Sequence, residues 1–236
     1  MQYTLDDKEF GNIILTIRRG MPRIVFRWKN SALHMSAPYG VSAETLRNAL
    51  DAKRESLRAM KPDGVKFYAG QVIPCFRTQI TISTDARLRN QVCYGRNPDG
   101  TTLYLNVPEG TDFEKENVKS TISSAISDLL GRNAAQFLIP YTQAEAARLG
   151  LKPLRFEIGR GMRKLGHCTR DGVIQLSRHL LLLPEPLVQC VVCHELAHLT
   201  HMDHSPAFHA LLDRYLGGRR ALLDRQLDHF VWPIYR

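Results

Sequence analysis

The sequence lacks a disulfide framework, a long hydrophobic run, a low-complexity tract and an internal repeat. Its five cysteines are an odd, scattered set, which does not predict the paired bridges of a small secreted protein. The most apolar short run, residues 180–183, stops at Pro184, far short of the ~20 residues that a membrane-spanning helix needs. The first residues show no basic stretch followed by an apolar one. We therefore expect a cytoplasmic protein with reduced thiols and no membrane contact.

Positive charge and histidine are both in excess. The 236 residues contain 32 Lys and Arg against 23 Asp and Glu, which gives a formal net charge of +9. Six of the nine histidines lie between His194 and His229. Because 44% of the residues are hydrophobic, the chain can form an ordinary core. The crowding of histidine in one stretch is the first indication of function. The net charge favours anionic partners through electrostatic steering.

The first part of the chain is rich in predicted strands. Runs of β-branched and aromatic residues alternate there with Pro and Gly, and one helix begins after Ser42. The sequence 97–100, Asn-Pro-Asp-Gly, predicts a hairpin turn. These features define a β-rich N-terminal region, residues 1–110. Its strand-like runs are 12–19, 23–28 and 72–107.

After residue 110 the apolar residues recur with a helical period. This pattern predicts a helix that starts at Asp112, a separate helix over 142–149, and helix throughout after Pro184. Two strands, 154–158 and 172–176, interrupt this α-rich region, residues 111–236. We therefore predict an α+β fold in which the β-rich half packs on the α-rich half to form one compact unit.

A His-Glu-x-x-His motif spans His194 to His198 in the last helical stretch. On an α-helix, residues four apart point in nearly the same direction about 6 Å apart, so both imidazoles can bind one metal ion. Glu195 then lies beside the ion, where its carboxylate can accept a proton from metal-bound water. Apolar residues flank the motif, which indicates a buried helix. The motif predicts a catalytic Zn²⁺ with Glu195 as the general base.

A third protein ligand is expected, because catalytic zinc sites take three and leave one position for water. No glutamate follows Glu195, which excludes the class of zincins that use a downstream Glu as third ligand. We favour His204, six residues after His198, over the other nearby donors. His201 is more simply a flanking residue, and Asp203 stays open as a ligand or as a partner of an imidazole. The ligand spacing is that of metzincins, but their Gly and Met-turn are missing.

The segments 194–199 and 204–208 together resemble the YgjP-like metallopeptidase family of predicted metal-dependent hydrolases, to which SprT-type proteases are more distantly related. The similarity extends to 162–177 and 38–42, and it covers most of the chain from about Ile17 to Tyr235. It implies a zincin-like C-terminal half and a zinc-dependent hydrolase. The implied ligands are His194, His198 and His204, and the implied base is Glu195. Three positions around the expected cleft depart from the family pattern and bear on substrate preference: Leu165, His167 and His209.

Three functions are compatible with these residues. The first is a zinc peptidase that uses metal-bound water activated by Glu195. Because the same water can attack phosphorus, a metal-dependent nucleotide phosphoanhydride or phosphoester hydrolase is an alternative. The other alternative is a nucleic-acid-binding module with a structural zinc, against which the missing fourth protein ligand counts. The expected partners are a peptide, a protein or a small anionic substrate such as a nucleotide. Nothing in the sequence indicates the oligomeric state.

Hydrolysis through an oxyanion needs an electrophile besides the metal. The polar aromatic candidates, each more simply explained as a structural residue, are His167, His209, Tyr215, His229 and Tyr235. His167 ranks first, since the family resemblance places its strand beside the metal-binding helix. Cys193 precedes the first histidine of the motif, and we predict that it is a small packing residue instead of a reactive thiol.

Overall fold

The structure is a computed structural model that describes residues 2–29, 32–60 and 65–235. The chain forms two compact units, one of residues up to Val65 together with Tyr235, and one of Lys66–Ile234. The change of composition near residue 110 lies inside the second unit. The N-terminal half is rich in strands and most helices lie in the C-terminal half, which confirms a mixed α+β fold. Within the described ranges, no helix is long and apolar enough to cross a membrane.

The first unit is a four-stranded sheet followed by one helix. The strand order is β1-β2-β4-β3, with antiparallel outer pairs and a parallel central pair. Ser42 is the N-cap of the helix, as predicted, and its hydroxyl accepts from the Thr45 amide at 3.1 Å. The elements are β1 (Gln2–Asp7), β2 (Gly11–Arg18), β3 (Val25–Lys29), β4 (Ala32–Pro38) and α1 (Ala43–Ala59).

The second unit begins with another four-stranded sheet. Its strands are β5 (Val72–Cys75), β6 (Thr78–Asp85), β7 (Cys93–Arg96) and β8 (Thr102–Pro108). Their order is β5-β6-β8-β7, again with antiparallel outer pairs and a parallel central pair. The predicted hairpin turn joins β7 to β8, and the Asn97 amide donates to the Thr102 carbonyl at 3.0 Å. The long helix α2 (Glu116–Arg148) follows this sheet.

The two four-stranded sheets share one topology, which corrects the expectation that the chain has no internal repeat. In each sheet the strand that precedes the helix, β4 or β8, ends at a Pro-x-Gly turn. These turns begin at Pro38 and at Pro108. Gly40 and Gly110 in these turns have φ of +85° and +76°, where glycine is strongly favoured. The sequences of the two sheets match at these turns and at the inward side chains. These positions are too few for the repeat to be noticed in the sequence. The matching inward pairs are Leu33 with Leu103, Met35 with Leu105, and Ala37 with Val107.

Helix α2 corrects the prediction of two separate helices. It continues without interruption from Glu116 to Arg148, across Pro140. The Pro140 side chain is exposed, so water can satisfy the carbonyl that loses its helical partner. The start is also later than predicted, because the Asp112 carboxylate accepts from the Glu114 amide at 3.0 Å in a turn ahead of the helix.

The rest of the second unit is a three-stranded sheet and four short helical segments. The sheet order is β10-β11-β9, with β10 antiparallel and β9 parallel to the central strand. The two predicted strands are present with their bounds moved by about one residue. Helix after Pro184 is interrupted by turns, and the last helix ends at Asp228. The elements are β9 (Arg155–Gly159), β10 (Gly166–Cys168), β11 (Val173–Ser177), a 3₁₀ helix (Arg178–Leu182), α3 (Glu185–Ala197), α4 (Pro206–Tyr215) and α5 (Arg220–Asp228).

Candidate metal centre

The His-Glu-x-x-His motif forms the last turn of α3 and its C-cap. The helix ends at Ala197, whose carbonyl accepts from the amides of Thr200 and His201, both at 3.0 Å. This tight turn reverses the chain toward α4. Ser205 is the N-cap of α4, and its hydroxyl accepts from the Phe208 amide. The reversal returns His204 to the end of α3.

Three imidazoles converge at this place. The Nε2 atom of His194 lies 3.2 Å from Nε2 of His198 and 3.1 Å from Nε2 of His204. One nitrogen from each ring lies within 4.8 Å of the other two. A tetrahedral ion with metal–nitrogen bonds of ~2.1 Å would hold its nitrogen ligands about 3.4 Å apart. The spacing of the three nitrogens therefore fits a small divalent ion.

Two features hold the imidazoles in orientation. The Nδ1 atom of His198 donates to the His201 carbonyl at 2.9 Å, which leaves the Nε2 lone pair of His198 free for a metal. The Phe208 ring is fully buried and stacks on the His198 ring at 4.6 Å between centroids. It also lies 5.0 Å from the His194 ring and 4.9 Å from the His204 ring. Phe208 therefore contacts all three rings and limits their rotation.

Burial favours the neutral form of the two motif histidines. It lowers the pKa of His194 to about 4, and the neighbouring imidazoles of His198 and His204 lower it further. Burial also lowers the pKa of His198, although its bond to the His201 carbonyl acts in the opposite direction. A neutral imidazole has the lone pair that metal binding requires. Both residues are therefore prepared as ligands at neutral pH.

Glu195 lies beside the triad and is nearly inaccessible, with 6% of its surface exposed. Burial raises the pKa of its carboxyl to about 8, and the positive charge of Lys164 acts in the opposite direction. Its side chain lies against the backbone of Gly166 in β10. A Cβ atom added to Gly166 would collide with Cγ and Oε1 of Glu195. Glycine at this position therefore makes room for the carboxylate.

A hydrogen-bond cluster around the Glu145 carboxylate holds α3 in place. The carboxylate of Glu145 in α2 accepts from Arg148 at 2.7 Å, from Gln189 at 3.2 Å and from the Cys193 thiol at 3.7 Å. Arg148 also donates to the Tyr215 carbonyl at the end of α4. The cluster thus joins three helices next to His194. Burial raises the pKa of Cys193 to about 12, which agrees with a packing residue instead of a reactive thiol.

The other proposed ligands do not join the triad among the described residues. His201 contributes its backbone carbonyl, and the Asp203 carboxylate accepts from the Ser205 amide at 3.3 Å in the turn before α4. Of the oxyanion candidates, His167 is close enough for its charge to lower the pKa of His198. The ring of His209 lies 6.3 Å from that of His204, and its buried Nδ1 has no partner in the described part of the chain.

Two of the three remaining oxyanion candidates have backbone contacts elsewhere in the structure. The carbonyl of Tyr215 accepts from Arg148, and His229 is the C-cap of α5. Tyr235 belongs to the other compact unit. Sequence reasoning missed Gly166, Phe208 and Glu145, which support the site from three different elements. Of these three residues, only Phe208 could have been found from the sequence, because it follows His204 by one helical turn and lies on the apolar face of α4.

The sequence model of the YgjP-like family, described as a metallopeptidase domain, matches residues 23–229. The chain belongs to this family. Membership in the YgjP-like family indicates a metal-dependent hydrolase with a metal cofactor, and the histidine triad of this chain has the donor set for one. No curated protein and no solved structure matches the chain. The YgjP-like assignment therefore comes from the family model, and the assignment of individual residues comes from their geometry.

Proposed function

We propose that this YgjP-like chain is a zinc-dependent peptidase with His194, His198 and His204 as metal ligands and Glu195 as the general base. One observation carries the proposal. The Nε2 atoms of the three histidines converge beside a buried carboxylate that follows the first of them in the same helix. Three nitrogen donors suit a catalytic zinc site, which keeps a further position open. In the described residues no fourth protein donor joins the cluster, which disfavours a structural zinc.

The residues of the site have separate roles in this reaction. A bound zinc ion would supply Lewis acidity toward water and the scissile carbonyl. Glu195 would hold the proton taken from the attacking water at a carboxylate oxygen and deliver it to the leaving amine. The burial of Glu195 favours the protonated form that this proton transfer produces. The wall formed by Phe208 would exclude water from one side of the imidazoles and keep their geometry.

Strand β10 supports a peptide substrate. It is an edge strand, and its pairs with β11 are Gly166 with Leu176, His167 with Gln175, and Cys168 with Ile174. The Ser177 amide donates to the Leu165 carbonyl and the Thr169 amide to the Val173 carbonyl. This alternation directs the backbone polar groups of Gly166 and Cys168 away from β11. An extended peptide can pair with such an edge, here beside Glu195.

A substrate screen tests the proposal. Purified wild-type chain, metal-depleted chain and Glu195→Gln are incubated with a fluorescence-quenched peptide library and with nucleoside triphosphates. We expect peptide cleavage by the wild type alone, lost on chelation and restored by Zn²⁺. If phosphate is released from nucleotides in a Glu195-dependent way while all peptides stay intact, the chain is a phosphohydrolase. The absence of metal-dependent turnover with both classes would contradict a hydrolase.

Gly166→Ala should lower activity without removing the metal. The new methyl group would collide with Glu195 and displace its carboxylate, whereas the histidine ligands would be untouched. We expect kcat to fall by about tenfold or more, because small misplacements of a catalytic group are costly. Gly95→Ala is the matched control, since the new methyl group there meets the side chain of Tyr104 in β8 instead of Glu195. Zinc content and peptidase kinetics of both variants check the prediction, and equal kcat values would contradict it.

A further inference from the structure

A cavity of about 330 Å³ lies next to the candidate metal centre. Three glycines, Gly159, Gly161 and Gly166, form part of its wall, and Gly166 also touches Glu195. The polar side chains that line it are Arg163, Lys164, His167, Gln175 and Ser177. The cavity and the proposed catalytic carboxylate therefore share one wall, so a substrate at the triad can extend into the cavity.

Two cations in the lining, Arg163 and Lys164, have no carboxylate within ion-pair distance among the described residues, although the charge of Lys164 acts on Glu195 from further away. Among the described residues, neither Arg163 nor Lys164 takes part in an ion pair. The carboxylate of Glu157 nearby already accepts from Arg155 at 2.7 Å. Adjacent unpaired positive charges repel one another, and a bound anion would relieve that repulsion.

The chain has two other arginine pairs, at residues 18–19 and 219–220, and three of these four side chains contact partners in the described part of the chain. Arg19 lies over the Tyr39 ring at 5.3 Å, Arg219 donates to Gln189 at 3.2 Å, and Arg220 pairs with Asp224 at 2.8 Å. Their charges thus have partners within the protein. The basic loop between β9 and β10, residues 160–165, instead presents Arg163 and Lys164 to a cavity.

Ser177 fixes both ends of this basic loop. Its amide donates to the Leu165 carbonyl at 2.8 Å, and its hydroxyl donates to the Gly161 carbonyl. Ser177 is itself held by His179, whose second ring nitrogen bonds to Ser127 of α2 at 2.9 Å. The backbone that carries Arg163 and Lys164 is therefore preorganised, which lowers the entropic cost of binding a ligand there.

We propose that Arg163 and Lys164 form an anion subsite that binds a negatively charged group of the substrate, a carboxylate or a phosphate, next to the scissile bond. The guanidinium of Arg163 suits two-pronged binding of either oxyanion, and the Lys164 ammonium adds a point charge. The inference rests on the proposed function, because it assigns specificity to that reaction. Anion binding can be measured without turnover, so the anion subsite and the proposed peptidase activity can be disproved separately.

The binding experiment uses the full chain carrying Glu195→Gln, which prevents cleavage. Its probes are inorganic phosphate and two N-acetylated, C-amidated tripeptides with central glutamate or glutamine, titrated by calorimetry. We expect Arg163→Gln/Lys164→Gln to weaken binding of the phosphate or of the glutamate peptide about tenfold. Arg170→Gln, an exposed arginine outside the cavity, is the control and should bind like its parent. Arg163→Lys/Lys164→Arg keeps both charges and should retain most of the affinity.

The outcomes separate the two sources of the anion. Loss confined to the glutamate peptide identifies a carboxylate, and loss confined to phosphate identifies a phosphate group. In otherwise wild-type chain, the ratio of kcat/KM between glutamate and glutamine substrates should then fall toward one when both cations are removed. Equal affinity of the double variant and the Arg170→Gln control for all three probes would overturn the subsite. That result would leave the metal site and hydrolase proposal intact.

Discussion

His198→Ala should abolish stoichiometric metal binding. His198 supplies one of three converging nitrogens, and its ring is stacked on the buried Phe208 ring. Loss of a partner that merely orients a ligand already costs 10–100-fold in metal affinity, so loss of a ligand should cost at least about 100-fold. Metal analysis after dialysis against a defined free Zn²⁺ concentration measures this directly.

The control for that variant is His201→Ala. His201 contributes only its backbone carbonyl to the site, and alanine keeps that carbonyl. We therefore expect His201→Ala to retain one metal ion per chain. The free energy of unfolding measured with Zn²⁺ should depend on the same binding, since a ligand present at 100 times its dissociation constant raises it by about 2.7 kcal/mol. Zn²⁺ should raise the Tm of His201→Ala but not that of His198→Ala. Equal metal content in the two variants would contradict the ligand assignment.

Glu195→Gln should keep the metal and lose turnover. Glutamine has nearly the same shape but cannot accept a proton as a carboxylate does. A positioned general base contributes typically 10²–10⁴-fold to the rate, so we expect kcat to fall by about that factor with little change in KM. Removing a buried carboxyl whose pKa is raised by desolvation should not destabilise the fold. Steady-state kinetics at saturating Zn²⁺, with zinc content measured in the same samples, check this prediction.

Glu185→Gln provides the matched substitution on the same helix. Glu185 lies in the first turn of α3, its side chain is mostly exposed, and it lies 3.6 Å from Arg77 in a surface ion pair. Such pairs contribute little, so this variant should retain wild-type kcat and metal content. A Glu195→Gln enzyme as active as Glu185→Gln would show that another group accepts the proton.

The chemistry-bearing residues were predictable because they lie close together in the sequence. Helical spacing brings His194 and His198 together, and His204 follows His198 by only six residues. The mixed fold class followed from the change of hydrophobic period. These are local patterns, and local patterns are what a single sequence displays most reliably.

The support of the site was not predictable in the same way. Gly166 and Glu145 reach α3 from β10 and α2, and no local pattern tells which distant residue will meet a helix face. The continuous course of α2 across Pro140 depends on that residue facing solvent, which only the packed structure decides. The duplicated sheet topology matches in sequence at the inward positions and the Pro-x-Gly turns, which are too few to reveal it without the tertiary structure.

X-ray absorption spectroscopy of the purified, zinc-loaded chain tests the central claim most directly. The method counts the nitrogen, oxygen and sulfur atoms around the metal and recognises imidazole by its outer ring atoms. We expect one Zn²⁺ per chain with three imidazole nitrogens, lighter atoms completing the coordination, and no sulfur. A sulfur ligand, fewer than two imidazoles, or zinc content that stays far below one per chain would contradict the His194, His198 and His204 site.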